Sequence, residues 1–420
     1  MSVTKYMHAS SWGFTDPTML PSAWHLPVEP EKAVKIDRKQ HSLFVDFGKE
    51  TFGYLKLQGL TGKGLISVYY GESPDEAKDT ARCELTDEVT IPSRHPADYT
   101  FKGSRAFRYV TIHCGDNVSI NNVSMLYEYS PVKQRGSFSC SDPEINKIWN
   151  VAAYTLHLNT SEFFIDGIKR DRWVWSGDAY QSYLMNYYLF FDSPEVTHTL
   201  MALRGKDPVT SHINTIMDYS FYWFLGINDY YQYTGDKTFI RQVYPRMQSM
   251  MDFCLKRRDK DGLVQGLPGD WVFIDWADGL SKQGEVSFEQ VLFCRSLETM
   301  AQCAIIAGDS KGADRYANIA AGIKDKLLKY YWSDQKHALV HSRIDGRPTD
   351  NVTRYANMFA LFFNYLDDAQ KQDVKKYVLL NNAVPKITTP YMHFYELEAL
   401  CAMGGQSYVL KQIKDYWGGM

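Results

Sequence analysis

The chain has 420 residues, enough for two domains or for one large domain with an appendage, and 45% of them are hydrophobic, so a sizeable core is available. A net charge of -3, with 46 Lys and Arg spread along the chain, leaves no basic footprint for nucleic acid and none for a membrane surface. No apolar run reaches the length of a bilayer span, residues 1–12 lack the charged-then-apolar order of a signal peptide, and the 7 cysteines are scattered singly. They make neither a disulfide framework nor a zinc site, and the compartment stays open between cytoplasm and periplasm. The excess is aromatic: 29 Tyr and 10 Trp suit a concave surface that is part apolar and part hydrogen-bonding.

Residues 1–36 have little periodicity and carry Pro17, Pro21, Pro27 and Pro30, which predicts an irregular or edge segment. Short alternating runs follow at 41–48, 51–60, 65–71, 98–102, 107–114 and 123–129, separated by glycine, and predict an all-β region of sandwich type. The polar stretch 72–96 reads as a long connecting loop. Ser141-Asp142-Pro143-Glu144 is a helix start, with a hydroxyl cap, an early Pro and a Glu three residues after the Ser. The expected division is a β-sandwich domain over 1–136 and a helical domain over 137–420. Helices are predicted at 143–158, 178–191, 194–204, 217–233, 237–257, 288–307, 312–331, 353–364, 368–379, 391–402 and 406–416. Turns of similar kind recur at Thr234-Gly235-Asp236, Ala307-Gly308-Asp309 and Gly404-Gly405-Gln406, which suggests repeated antiparallel helical hairpins. If the hairpins close into a toroid, the long aromatic loops between them fall on one rim.

One stretch, 163–178, concentrates Asp166, Asp171, Asp178, Lys169, Arg170, Arg172, Trp173 and Trp175. Ser176-Gly177-Asp178 opens a helical pattern, so the stretch reads as a loop ending at a helix N-terminus, where free amides favour a carboxylate. Aromatic faces interleaved with carboxylates and arginines are what a sugar ring requires. The plainer reading is a surface loop whose charges pair with one another and whose tryptophans enter the core. A second loop, 261–285, holds Asp270, Trp271, Asp275, Trp276 and Asp278 and is a candidate rim; His393, Tyr395 and Glu396 form a weaker group near the end. No His, Cys or Asp cluster has metal spacing and no glycine-rich phosphate loop occurs, so neither cofactor nor metal is expected.

The order Asp166, Arg170, Asp171, Trp175, Ser176, Gly177, Asp178 resembles the active-site segment of the bacterial α-L-rhamnosidases, the six-hairpin glycosidases of family 78. Asp46-Phe47-Gly48, Tyr70-Gly71-Glu72, Phe107-Arg108-Tyr109-Val110, Gly269-Asp270-Trp271 and Thr389-Pro390-Tyr391 are similar to further pieces of that family, in the same order. The resemblance implies a β-sandwich followed by an all-α (α/α)6 barrel, and inverting hydrolysis of a terminal L-rhamnose. It implies Asp171 as the general acid, Asp166, Arg170 and Asp178 as contacts to sugar hydroxyls, and Trp175 as a ring partner. Asp270, Trp271, Trp276, His393, Tyr395 and Glu396 are carried as candidate substrate contacts.

Two departures stand out. The family has Glu at the acid position, and Asp171 is about 1.5 Å shorter. The family's base is a Glu in a Trp-Glu segment beyond the last helices, and no such segment follows Asp415-Tyr416-Trp417. An inverting enzyme needs that second carboxylate roughly 6.5–9.5 Å from the first. The expectation is therefore a last hairpin that is incomplete and a base that a longer chain or a second chain supplies. Two further readings stay open: a carbohydrate-binding remnant without catalysis, and a related six-hairpin exo-glycosidase for another terminal sugar. A homo-oligomer is compatible with the sequence.

Overall fold

The computed structural model describes residues 26–419. They form two compact units: residues 26–134 with Ala152–Val174, and Arg135–Val151 with 175–419.

The first unit is built on strands β1 (Val28–Lys32), β2 (Lys35–Lys39), β3 (Ser42–Gln58), β4 (Gly64–Gly71), β5 (Leu85–Ile91), β6 (Tyr99–Thr100), β7 (Arg105–Cys114) and β8 (Asn122–Glu128). All pair antiparallel in one continuous eight-stranded sheet ordered β1-β8-β3-β7-β4-β5, with β2 and β6 also on β3. The all-β expectation holds for the strands, and a short separate pair, Thr61–Gly62 with Val118–Ser119, lies outside this sheet. Alternate residues of β3 (Leu43, Val45, Phe47, then Leu55 and Leu57) are buried, as are Ile66, Val68, Tyr70, Phe107, Val110 and Ile112. The alternation breaks at a bulge between Asp46 and Thr51, where Asp46 accepts from the Gly48 amide and from Arg108. Most of the irregular segment expected over 1–36 lies outside the described residues; its last part is strand, with Pro30 in β1, which among the described residues pairs only with β8. The expected loop 72–96 contains α1 (Pro74–Lys78), capped by Ser73, and β5.

The helices that follow lie close to their sequence positions: α2 (Pro143–Asn159), α3 (Ser176–Leu189), α4 (Ser193–Arg204), α5 (Met217–Thr234), α6 (Lys237–Leu255), α7 (Ser287–Ala307), α8 (Ser310–Tyr331), α9 (Arg354–Phe362), α10 (Asp368–Val374), α11 (Pro390–Ala402) and α12 (Gln406–Trp417). From α5 to α8 two kinds alternate. In α5 and α7 buried residues run on nearly every side, from Met217 to Asn228 and from Ser287 to Cys294 without a break. In α6 and α8 only one stripe is buried, for example Ala313, Tyr316, Ala320, Ile323 and Leu327. The all-round helices form an inner layer and the striped ones cover it. Two hairpin turns share one chemistry. Gly235 and Gly308, at φ +69° and +85°, end α5 and α7, and the carboxylates of Asp236 and Asp309 accept the first amides of α6 and α8. Lys414 of α12 reaches Asp142 at 2.9 Å and Glu144 at 3.0 Å, tying the last helix to the start of α2.

Candidate active site

In the first unit the acid-rich stretch is a closed loop. Buried Phe163, Phe164 and Ile165 anchor its start. Asp166 and Trp173 then exchange two bonds, the Asp166 amide to the Trp173 carbonyl at 3.0 Å and the Trp173 amide to the Asp166 carboxylate at 2.8 Å. Burial pushes Asp166 up to about 6, against the amides of Trp173 and Gly167 that pull it down and with the charge of Asp171 adding to the rise. Lys169 is taken by Glu72 at 2.9 Å and by Glu76 of α1 at 2.7 Å. The connector 72–96 thus reaches the loop with two carboxylates. Arg172, at φ +47°, turns its side chain inward, donates to the Ser104 carbonyl at 2.9 Å and lies over the Phe52 ring. That reversal leaves Arg170 and Asp171 at the exposed tip, with Arg170 3.8 Å from Glu84. Ion pairing and core packing therefore account for Lys169 and Arg172. They do not account for Asp171, which enters no ion pair among the described residues.

In the second unit the functional candidates gather at the N-terminal turns of the inner helices, where unshared amides favour acceptors. Asp178 stands in the first turn of α3 and accepts from the Tyr219 hydroxyl of α5 at 3.0 Å. Gly177 is required there: a Cβ would lie 2.1 Å from the Tyr391 hydroxyl and 2.7 Å from the Tyr219 ring. Trp175 meets the Tyr219 ring edge-on at 6.1 Å, and its indole N–H has no acceptor among the described residues. The Ser176 amide is held by the Asn214 side chain at 3.0 Å.

The aromatic loop is fixed to the same helix ends. The Trp271 amide donates to Thr215 at 3.1 Å, and the Met217 amide to Trp271 at 2.9 Å. The amides of Phe273 and Ile274 donate to the two oxygens of Asp218 at 3.3 and 3.0 Å. Asp275 accepts from Tyr355 of α9 at 2.8 Å and from Thr389, the cap of α11, at 2.7 Å. The Phe273 ring is the centre of a cluster with Trp276 (4.9 Å), Trp271 (5.6 Å), Tyr219 (5.7 Å) and Tyr391 (6.3 Å). Trp276 keeps 71% of its surface exposed and Trp271 40%, so both have faces free for a ligand. Trp175, Asp178, Trp271 and Trp276 are thus brought together through Tyr219 and Phe273.

The remaining candidates sit elsewhere in this unit. Asp270 is gripped by the Arg257 fork with both bonds at 3.1 Å. His393 is buried, which lowers its pKa, and stacks on Tyr416 at 4.8 Å. Tyr395 is buried on Tyr222. Glu396 forms a buried pair with Arg354, whose other nitrogen donates to the Asn381 and Val384 carbonyls. Sequence reading missed Asp218, Tyr219, Glu289 and Tyr355. Asp218 and Glu289 are fully buried in the first turns of α5 and α7, and burial first, then for Glu289 the charge of Asp218, favours the neutral carboxyl. The available signal was an acid near the start of an otherwise apolar helix. Among the described residues no group of His, Cys, Asp or Glu is placed to hold a metal ion, and no helix is long and apolar enough to cross a membrane.

Exposed indoles and half-buried carboxylates at the ends of packed helices define a helical-hairpin protein with an aromatic, acid-bearing rim. Residues 133–388 match the family described as the bacterial alpha-L-rhamnosidase 6 hairpin glycosidase domain, and residues 1–112 match the alpha-rhamnosidase-like N-terminal family of bacteroidetes. The chain belongs to the bacterial α-L-rhamnosidase six-hairpin glycosidase family. It is 22% identical over 319 residues to an alpha-L-rhamnosidase of Formosa agariphila, covering 64% of this chain and 33% of that protein. It is 23% identical over 427 residues to an alpha-L-rhamnosidase of an Alteromonas species, covering 91% of this chain and 45% of that protein. The chain therefore spans less than half the length of these curated relatives. Among solved structures, a rhamnosidase from Klebsiella oxytoca with rhamnose bound shares the fold at a TM-score of 0.80 and 20% identity, over 96% of this chain and 90% of that one. A family 78 rhamnosidase of Bacillus sp. GL1 matches at 0.80 and 23%, over 96% of this chain and 44% of that one.

Proposed function

We propose that this protein is a glycoside hydrolase that releases terminal α-L-rhamnose from oligosaccharides or glycosides by an inverting acid–base mechanism, on an (α/α)6 barrel preceded by a β-sandwich. The observation that carries the reading is the aromatic row Trp175, Tyr219, Phe273, Trp276 beside the Tyr219-held carboxylate of Asp178. Such a row offers faces for the C–H side of a pyranose and an acceptor for its hydroxyls. Family membership and the rhamnose in a structural relative support the choice of sugar.

In this reading Asp171 protonates the leaving oxygen, and its exposed place in the loop leaves it open to substrate. Asp166, Arg170 and Asp178 take sugar hydroxyls, Trp175 packs on the ring, and Trp271 and Trp276 line the rim. A second carboxylate activates water on the opposite face. Each proton transfer contributes on the order of 10²- to 10⁴-fold. One observation favours a second assignment of the acid. Asp166 is the carboxyl in this loop whose pKa burial raises to about 6, and a general acid must hold its proton near neutrality.

The test is turnover of a panel of aryl glycosides by the full chain, with the first-formed anomer read by NMR. Hydrolysis of the α-L-rhamnoside to β-L-rhamnose is expected. Turnover confined to another sugar moves the assignment to that sugar, and binding of rhamnose without turnover favours a carbohydrate-binding protein. Comparing Asp171→Asn with Asp166→Asn separates the acids, because the variant that removes the acid also removes the alkaline limb of the pH–rate profile.

A further inference from the structure

We propose that Asp218 is a positioning residue: it fixes the strap Trp271–Trp276 in the shape that presents two indoles to the sugar, an inference that rests on the reading of this rim as a sugar site. Ile274 has φ +65°, a left-handed conformation that costs a β-branched residue on the order of 1–3 kcal/mol and persists only where surroundings over-determine it. The surroundings here are the two oxygens of Asp218, which accept the Phe273 and Ile274 amides at 3.3 and 3.0 Å. Asp218 is itself fully buried in the first turn of α5. The segment before it is strained in the same sense, with Asn214 at φ +54° and Thr215 at φ +66°. That segment holds the strap on one side, through Thr215 to Trp271, and the Ser176 amide on the other, through Asn214.

Asp218 is thus the end of a short backbone hub that sets both Trp175-Ser176-Gly177-Asp178 and the Trp271–Trp276 strap. An aliphatic residue at 218 would leave two buried amides without acceptors, and Ile274 would relax toward an extended conformation. Its neighbours Phe273 and Trp276, whose rings are 4.9 Å apart, would rotate with it. The strap's second anchor, Asp275 on Tyr355 and Thr389, holds its far end but not the reversal at Ile274.

The experiment compares wild type, Asp218→Ala and Asp218→Asn by hydrogen–deuterium exchange without sugar and by kinetics on an aryl α-L-rhamnoside. In Asp218→Ala, exchange in peptides covering 271–276 should rise about tenfold or more while peptides of α7 keep wild-type protection. KM should rise roughly ten- to a hundredfold with kcat changed far less, because the strap binds the sugar and does not transfer protons. Asp218→Asn, which keeps the volume and one acceptor, should lie between the two. If Asp218→Ala does not fold, Asp218→Asn decides alone. Unchanged exchange across 271–276 in a folded variant overturns the proposal, and so does faster exchange with an unaltered KM. Failure of wild type to bind or turn over any rhamnoside overturns the functional reading instead, and the sugar-free exchange still reports on the strap.

Discussion

The loops 166–173 and 271–276 are both short, both carry acids and indoles, and both contain one non-glycine residue in the left-handed region, Arg172 and Ile274. In the first, the reversal sends Arg172 into the core and leaves Arg170 and Asp171 in solvent, while the base of the loop is closed by Asp166 and Trp173. In the second, the reversal points two amides at a buried carboxylate, and Asp275 binds two further hydroxyls, so the strap is held at Trp271, Phe273, Ile274 and Asp275. The contrast follows from the chemistry proposed for each. An acid must meet solvent and substrate to exchange its proton. A stacking platform works by staying where it is, since each rotamer left free must be frozen on binding.

The largest effect that would separate the two loops is on turnover. Asp171→Asn should reduce kcat on an aryl α-L-rhamnoside by about 10²- to 10⁴-fold with a nearly unchanged melting temperature, because its side chain is exposed; a substantial residual rate would remove Asp171 from the mechanism. Asp275→Ala should do the reverse. It leaves the buried Tyr355 hydroxyl without an acceptor and should lower stability by about 1–3 kcal/mol, read by denaturant titration.

A third measurement uses pH. Asp166 has a folded pKa of about 6, above its ordinary value of 3.8, so its contribution to stability is full below about pH 4 and is lost as pH rises through 6. Asp166→Asn keeps the acceptor for the Trp173 amide and removes the titration. The variant should therefore gain on wild type between pH 4 and 7 by about 1–2 kcal/mol, a figure already reduced for partial exposure. Equal slopes for the two proteins would mean that Asp166 is ionised throughout. The smallest effect belongs to Arg170→Ala, which should shift stability by no more than about 0.5 kcal/mol in thermal unfolding, its pair with Glu84 being exposed and long.

Much of this was legible in the chain. The helices announced themselves through glycine turns and Asp caps, and Gly235-Asp236 and Gly308-Asp309 mark hairpins because a left-handed residue followed by a capping carboxylate has few other uses. The strands followed from alternation, as in β3 and β7. The motif Trp175-Ser176-Gly177-Asp178 was visible too, although the reason for its glycine, the closeness of Tyr391, was not, since the two are brought together only by the packing of α3 on α11. The same distance hid Asp218 and Glu289, which read as unremarkable acids inside apolar runs, and hid the Arg354–Glu396 pair that ties α9 to α11. The placement of 152–174 with the sheet is likewise a matter of contacts that no local pattern encodes.

The two-residue turns at Gly235-Asp236 and Gly308-Asp309 also bear on how such a scaffold can vary. One residue added there would rotate the following helix by about 100° relative to its partner. The single buried stripe of α6 or α8 would then face water. Length change is thereby steered into the long connections after α6 and after α8, and a lineage can remodel the rim while the spacing of the inner helices stays put.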